Sequence, residues 1–372
     1  MEKSMTNKGD SLGRLNKSDE AIKAYEKAIE INPNDSDAWY NKGVVLDHLN
    51  KSDEAIKAYE KAIEINPNDS DAWYNKGVAL GKLGKFNEAM KVYDKAIEIN
   101  PNDSDVWYNK GLAFDNLNKS DEAKKAYDKA IEINPQYSMA WNNKGLVLDD
   151  LNEFEEAITA YEKAIEVNPQ YSAAWYNKGR ALYKLNKSNE AITAYEKAIE
   201  INPQDSDAWY NKGLALHKLN QLDEAITAYD KAIKINPLDS NAWENKGTSL
   251  VKLGKSDEAI KAFDKAIEIN PNDSDAWYNK GSALVDLNKF DEAIKTYDEA
   301  IEINPQYSAA WNNKGVALGK LGKFDEAIKA YDTAIEIDPQ HSNAWYNKGL
   351  ALTNLNRSNE ALEAFDKANR DI

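Results

Sequence analysis

One spacing of 34 residues governs the whole chain. The ten tryptophans, from Trp39 to Trp345, follow one another at that step, and so do the ten prolines, from Pro33 to Pro339. No insertion breaks either series. A strict period of this length means one supersecondary unit stacked many times, so a single solenoid over residues 1–372 is expected in place of separate globular domains. Repeats begin at residues 2, 36, 70, 104, 138, 172, 206, 240, 274, 308 and 342, with the first and last atypical. A residue that recurs in every repeat is first of all a candidate for scaffold. Function is sought where repeats share a polar residue without structural need, or where they differ.

One repeat reads Ser70-Asp71-Ala72-Trp73-Tyr74-Asn75-Lys76-Gly77-Val78-Ala79-Leu80, then a loop at Leu83-Gly84-Lys85, then Asn87-Glu88-Ala89-Met90-Lys91-Val92-Tyr93-Asp94-Lys95-Ala96-Ile97-Glu98-Ile99 and Asn100-Pro101. Apolar residues recur at three and four in both segments (Trp73, Gly77, Leu80; Ala89, Tyr93, Ala96), which is helical spacing. Serine and aspartate before the first helix suit an N-cap, and acids such as Asp53-Glu54 open the second, where the helix dipole favours them. Asn-Pro ends the second helix, because a residue preceding proline avoids the α region. Gly77, one turn after Trp73, leaves space for a bulky side chain opposite, and the tryptophan itself is expected to be buried.

This order of Trp, Gly, Leu, Ala, Tyr or Phe, Ala and Pro resembles the tetratricopeptide repeat family along the entire chain. The resemblance implies an all-α fold, a right-handed superhelical solenoid of antiparallel helix pairs, with a concave groove that serves as a scaffold or peptide receptor. The ends depart from the pattern. Met5 and Thr6 stand where other repeats have Trp-Tyr, and Ala368-Asn369-Arg370-Asp371 replaces Ala62-Ile63-Glu64-Ile65. Polar outer faces of that kind suit terminal repeats. A monomer is expected, with end-to-end self-association near Leu362 and Phe365 as the alternative.

Composition narrows the partners. The net charge of −16 opposes the counterion displacement that nucleic-acid binding requires, and it disfavours anionic membranes. RNA recognition by one base per repeat is disfavoured for the same reason. No stretch approaches 18 apolar residues, and the polar Met1-Glu2-Lys3-Ser4-Met5 runs directly into the first repeat, so neither a membrane span nor a secretory leader is expected. The absence of cysteine excludes thiolate chemistry and fits a cytoplasmic setting. The three histidines, His48, His217 and His341, lie in different repeats, so no metal site is expected. Gly254-Lys255-Ser256 resembles the end of a phosphate loop but lacks its first glycine. The Asn-Asp-Ser-Asp stretches lack the glycine and closing glutamate of a calcium loop. No catalytic residues and no cofactor are expected, and the chain is read as a non-enzyme.

The strongest candidate contacts are the asparagines two residues after each tryptophan: Asn41, Asn75, Asn109, Asn143, Asn177, Asn211, Asn245, Asn279, Asn313 and Asn347, with Asn7 equivalent in the first repeat. Helix propensity does not explain them. On the inner surface of the first helix an amide can both donate to and accept from the backbone of an extended peptide. A similar ladder grips peptide backbone in some superhelical members of the resembled family. An inter-repeat hydrogen bond that fixes the stacking angle explains them equally well. Tyr40, Tyr74, Tyr108, Tyr176, Tyr210, Tyr278 and Tyr346 follow tryptophan directly, interrupted by Asn142, Glu244 and Asn312, and suit ligand contact. Eight and nine residues after tryptophan, and at a few flanking positions, the early repeats carry acids (Asp47, Asp115, Asp149, Asp150) and the middle ones Arg180, Tyr183, Lys184, His217, Lys218 and Lys252. This predicts a peptide with basic residues toward the N-terminal repeats and acidic ones toward the middle. Lys42, Lys314 and their equivalents before each glycine are expected to cover the helix pair with their stems, and Ser52, Ser120, Ser188 and Ser256 to cap the second helices. The favoured function is a protein-interaction scaffold holding an extended partner segment in the groove. A structural assembly subunit using convex or end surfaces is the alternative.

Overall fold

The computed structural model describes residues 2–15 and 17–369, and among them it is helical with no strands. Its contacts divide the chain into two compact units, Met1–Leu185 and Asn186–Ile372. The first unit contains α1 (Glu2–Arg14), α2 (Ser18–Ile31), α3 (Ser36–His48), α4 (Ser52–Ile65), α5 (Ser70–Lys82) and α6 (Phe86–Ile99). It continues through α7 (Ser104–Asn116), α8 (Ser120–Ile133), α9 (Ser138–Asp150), α10 (Phe154–Val167) and α11 (Ser172–Lys184). The second unit contains α12 (Ser188–Ile201), α13 (Ser206–Lys218), α14 (Leu222–Ile235), α15 (Ser240–Lys252), α16 (Ser256–Ile269) and α17 (Ser274–Asp286). It ends with α18 (Phe290–Ile303), α19 (Ser308–Lys320), α20 (Phe324–Ile337), α21 (Ser342–Asn354) and α22 (Ser358–Ala368). Arg370 and Asp371, expected to wet the C-terminal end, lie outside the described residues.

Each helix boundary has a local cause. Asp35, Asp69, Asp103, Asp205, Asp239 and Asp273 cap the first helices, their carboxylates accepting from backbone N–H groups two or three residues on. The serine that follows is the first helical residue. Tyr137, Tyr171, Tyr307 and His341 occupy the cap position elsewhere and supply no side-chain cap. The second helix stops at an asparagine or aspartate whose backbone has left the α region before proline, as at Asn100 (φ −129°, ψ 89°). Between the two helices one residue adopts positive φ, and there the repeats carry either asparagine (Asn50, 59°; Asn118, 55°) or glycine (Gly84, 71°). Only these types enter the left-handed region at low cost.

Packing explains most of the invariant positions. The ring of Tyr93 lies so close to Gly77 that a Cβ there would stand 2.3 Å from Cε1, and the same closeness recurs at Gly43, Gly111, Gly145, Gly213, Gly281 and Gly315. Ala89 and Ala96 beside that ring are fully buried. Tryptophan and proline share one step because they are bonded. Each indole Nε1–H donates to the carbonyl of the proline six residues earlier, at 2.9–3.2 Å, from Trp39 with Pro33 to Trp345 with Pro339. The tryptophans, Trp175 among them, are half-buried, which corrects the expectation of full burial. Part of each ring faces the ammonium of the lysine three residues on, 5.1–6.0 Å from the centroid. That ammonium also pairs with a carboxylate 16 residues earlier, as Lys42 with Glu26 at 2.9 Å or Lys314 with Asp298 at 2.5 Å. The lysine stems do cover the helix pair, with side chains only 16–22% exposed.

The serines before the second helices are not caps. Lys51, Lys119, Lys187 and Lys255 hold the cap position without a side-chain bond, and Ser52, Ser188 and Ser256 are buried first-turn residues. Ser52 and Ser256 donate instead to Asp47 (3.5 Å) and Asp286 (3.4 Å).

Candidate functional site

Within each unit the first helices of neighbouring pairs approach one another, α3 with α5, α5 with α7 and α9 with α11 in the first, α13 with α15 and α15 with α17 in the second. Among the described residues the second helices make no comparable approach. The first helices therefore form the tighter side of each unit, and their residues at i, i+4 and i+7 share one face. On α5 this face carries Tyr74, Val78 and Gly81, with Asn75 and Lys82 beside them.

The asparagines are joined in a ladder with a step of 35 residues. Asn75 Nδ2 donates to the Tyr40 hydroxyl (3.1 Å) and to the Asp71 carbonyl one turn back (2.9 Å). Asn109 does the same with Tyr74 (3.1 Å) and Asp105 (2.9 Å), and Asn143 donates to Tyr108 (3.1 Å). Asn245 donates to Tyr210 (3.3 Å) and Asn313 to Tyr278 (3.0 Å). At the start of the ladder Asn41 donates to Asp10 Oδ1 at 3.3 Å. Asn211 donates to the Asp207 carbonyl at 2.8 Å.

The three interruptions of the tyrosine series keep the bond. Asn177 donates to Asn142 Oδ1, Asn347 to Asn312 Oδ1 and Asn279 to Glu244 Oε1, each at 3.0 Å. Tyr, Asn and Glu have nothing in common in shape, but all three accept a hydrogen bond at that reach. The substitution of Glu for Tyr, which packing alone does not explain, is explained by this acceptor. The sequence holds the signal as a 35-residue offset between Asn75, Asn109, Asn143, Asn177, Asn245, Asn279, Asn313 or Asn347 and an acceptor in the preceding repeat.

The charged positions form a second row of rungs with the same 35-residue step. Lys82 reaches Asp47 Oδ2 at 2.8 Å, Lys184 reaches Asp149 Oδ2 at 3.1 Å, and Lys252 Nζ lies 2.7 Å from His217 Nε2. Arg180 also faces Asp149 (3.6 Å) and lies over the Tyr176 ring, while Lys184 lies over the Phe154 ring at 5.0 Å. Lys218 donates to Asn186 Oδ1 at 2.5 Å. Arg180, Lys184, Lys218 and Lys252 thus all have partners inside their own units. Sequence reasoning saw a charge gradient for a ligand and missed these pairings. It also missed Tyr137 and Tyr307, whose rings stack on Tyr108 (4.9 Å) and Tyr278 (5.0 Å).

Burial sets the protonation of this face. Tyr74 is pushed up to about 12, by burial first and then by Asp105 and Asp103. Glu244 is raised to about 7 by burial and by Asp273, against the lowering effect of the Asn279 amide. His217 is lowered by burial and by the Lys252 ammonium, and its ring sits between Lys252 and Ser249 Oγ (2.7 Å). Among the described residues no group of three or more His, Cys, Asp or Glu could hold a metal, and no helix is long and apolar enough to cross a membrane.

Tetratricopeptide repeat models match residues 6–70, 142–206, 176–240 and 245–308, and further models of that description match 70–103, 104–137, 308–341, 228–261 and 330–363. The chain belongs to the tetratricopeptide repeat family. Among solved structures it is similar to YrrB, described as a TPR protein with an unusual peptide-binding site, at 30% identity over 50% of this chain and 96% of that one, TM-score 0.46. It is also similar to MamA (29% identity, 42% and 91% covered, TM-score 0.40) and to yeast Tom70 (20% identity, 99% and 91% covered, TM-score 0.43). No curated protein matches it. The fold is that of a protein–protein interaction scaffold.

Proposed function

We propose that the face formed by the first helices captures an extended peptide segment of a partner protein. The observation that carries this reading is the hydrogen-bonding state of the ladder. Both bonds of Asn75 and of Asn109 go through Nδ2, so each carbonyl Oδ1 keeps its acceptor capacity while the amide is held in one orientation. The hydroxyls of Tyr40 and Tyr74 accept from these two amides, so each keeps its own proton to donate. Around Asn75 and Asn109 a fixed acceptor and a fixed donor thus stand together, which suits the N–H and C=O groups of an extended backbone, whereas Asn143 and Asn313 already accept from Asn142 and Asn312 through Oδ1. Half-buried Val44, Val78, Leu112 and Leu146 form an apolar floor between the rows. Arg180, Lys184, Lys218 and Lys252 reach a ligand only by exchanging their internal partners, so the reading rests on the ladder and the floor.

A random-peptide selection tests it, run on the wild-type chain and on a Val78→Glu/Leu112→Glu variant. These two side chains take no part in the ladder bonds; because Leu112 packs on Ala123, Tyr127 and Val147, affinities are compared at a temperature where circular dichroism shows both chains fully folded. Peptides enriched on the wild type should lose at least tenfold in affinity for the variant. Equal binding to both would place the interaction on another surface and overturn the proposal.

A further inference from the structure

The second row of rungs contains one whose two positions carry the same charge. Between positions 35 residues apart on α3 and α5, and again on α9 and α11, a carboxylate meets an ammonium: Asp47 with Lys82, Asp149 with Lys184. The rung between α7 and α9 has the same step but joins Asp115 to Asp150, two carboxylates. No described cation pairs with either. The carboxyl of Asp115 is raised by burial and by the charge of Asp150, which is the mark of a like-charge pair without a counterion. Beside Asp150 on the same turn, Asp149 is only 3% exposed; Lys184 and Arg180 face its Oδ2, and its Oδ1 has no hydrogen-bond partner among the described residues. In the two closed rungs of this unit a lysine stands at the position equivalent to Asp150 and its ammonium reaches the carboxylate, and in one of them the ammonium also lies on an aromatic ring. Half-buried Leu112 and Leu146 of the floor stand on the same two helices, α7 and α9.

We propose that a lysine or arginine side chain of the bound segment completes the rung between Asp115 and Asp150. This rests on the peptide-capture reading above and names the chemistry of its ligand: a segment carrying a cationic residue, docked over α7 and α9. The wild-type scaffold supplies Lys82 and Lys184 at the equivalent places in its own rungs and leaves this one for the partner. A long aliphatic stem crossing Leu112 or Leu146 would bring the ammonium or guanidinium to the carboxylates, as the stems of Lys42 and its equivalents cross their own helix pairs.

The probes are two fluorescein-labelled nonapeptides, one alternating alanine and lysine, the other alternating alanine and glutamine, read by anisotropy at 150 mM salt. The lysine peptide is expected to bind at least tenfold tighter than the glutamine peptide. Asp115→Asn/Asp150→Asn should reduce that preference below threefold and leave the affinity for the glutamine peptide unchanged. Removing the same charge from the second helices, as Asp53→Asn/Asp121→Asn, should leave the preference intact. Asp150→Lys closes the rung internally, so it should abolish the preference and raise the melting temperature. Equal binding of both peptides to the wild type would overturn the cation seat while leaving peptide capture standing. A lysine preference that survives in Asp115→Asn/Asp150→Asn, or that falls equally in Asp53→Asn/Asp121→Asn, would reduce it to the overall acidity of the chain and overturn the seat as well. Binding of neither peptide would overturn the seat, and the library selection above then decides separately whether the face binds peptides at all.

Discussion

At Gly77 two opposing effects can be weighed directly. Alanine gains roughly 1 kcal/mol of helix propensity over glycine. Its Cβ, however, would stand 2.3 Å from the Tyr93 ring, which is 2% exposed and flanked by buried alanines, so it has nowhere to retreat. Overpacking of this kind costs about 1–3 kcal/mol. Gly77→Ala should therefore be destabilising on balance in urea unfolding, whereas Gly13→Ala, which meets nothing within 4 Å, should be neutral or stabilising. Trp107→Ala removes a half-buried ring, its bond to Pro101 and its contact with Lys110, and should cost about 3 kcal/mol, the low end for a tryptophan truncation. Trp107→Phe keeps most of the packing and should cost nearer 1 kcal/mol, the worth of the lost hydrogen bond. Burial carries the Glu244 carboxyl up to about 7. Its folded pKa of about 7 lies above the ordinary 4.5, so the folded state binds more protons between these values and stability falls as pH rises through them. Melts of wild type and Glu244→Gln at pH 5 and pH 8 should differ in that sense, with the variant losing less on going to pH 8. A wild-type pH dependence identical to that of Glu244→Gln would refute the assignment.

Among elements, the bond from one first helix to the next is the feature that the sequence displayed without explaining. Helices, caps and turn positions follow from period, aspartate and Asn-Pro, because these are local effects legible in a few consecutive residues. Asn109 and Tyr74 are neighbours only after two repeats have stacked, so neither residue alone reveals which atoms are engaged. The same holds for Lys184 and Asp149, which read as a charge gradient until the 35-residue step places them together. Ser52 misled for the opposite reason: serine before a helix is a good cap in isolation, yet the buried Asp47 of the previous helix attracts its hydroxyl. A double-mutant cycle on Asn109→Ala and Tyr74→Phe should return a coupling of about 1 kcal/mol in unfolding free energy. Additive effects would mean that the ladder bond contributes nothing to stacking.

Over the molecule, each of the two units is a series of nearly identical pairs, and stability in such a series is close to a sum of nearest-neighbour terms. Scaffold duties therefore repeat, while a feature present once, such as the unclosed Asp115–Asp150 rung, is free of that repetition. The central claim is that the ladder face, and not the surface of the second helices, receives the partner segment. Two methionines of the first unit report on these surfaces separately. Met139 is exposed on α9, one turn before Asn143, and Met90 is half-buried on the second helix α6. The most direct test is the rate of methionine oxidation by peroxide, followed by mass spectrometry, with and without a peptide selected on the wild-type chain. The account predicts that bound peptide slows oxidation of Met139 several-fold and leaves Met90 unchanged. Protection of Met90 with Met139 unaffected would contradict it.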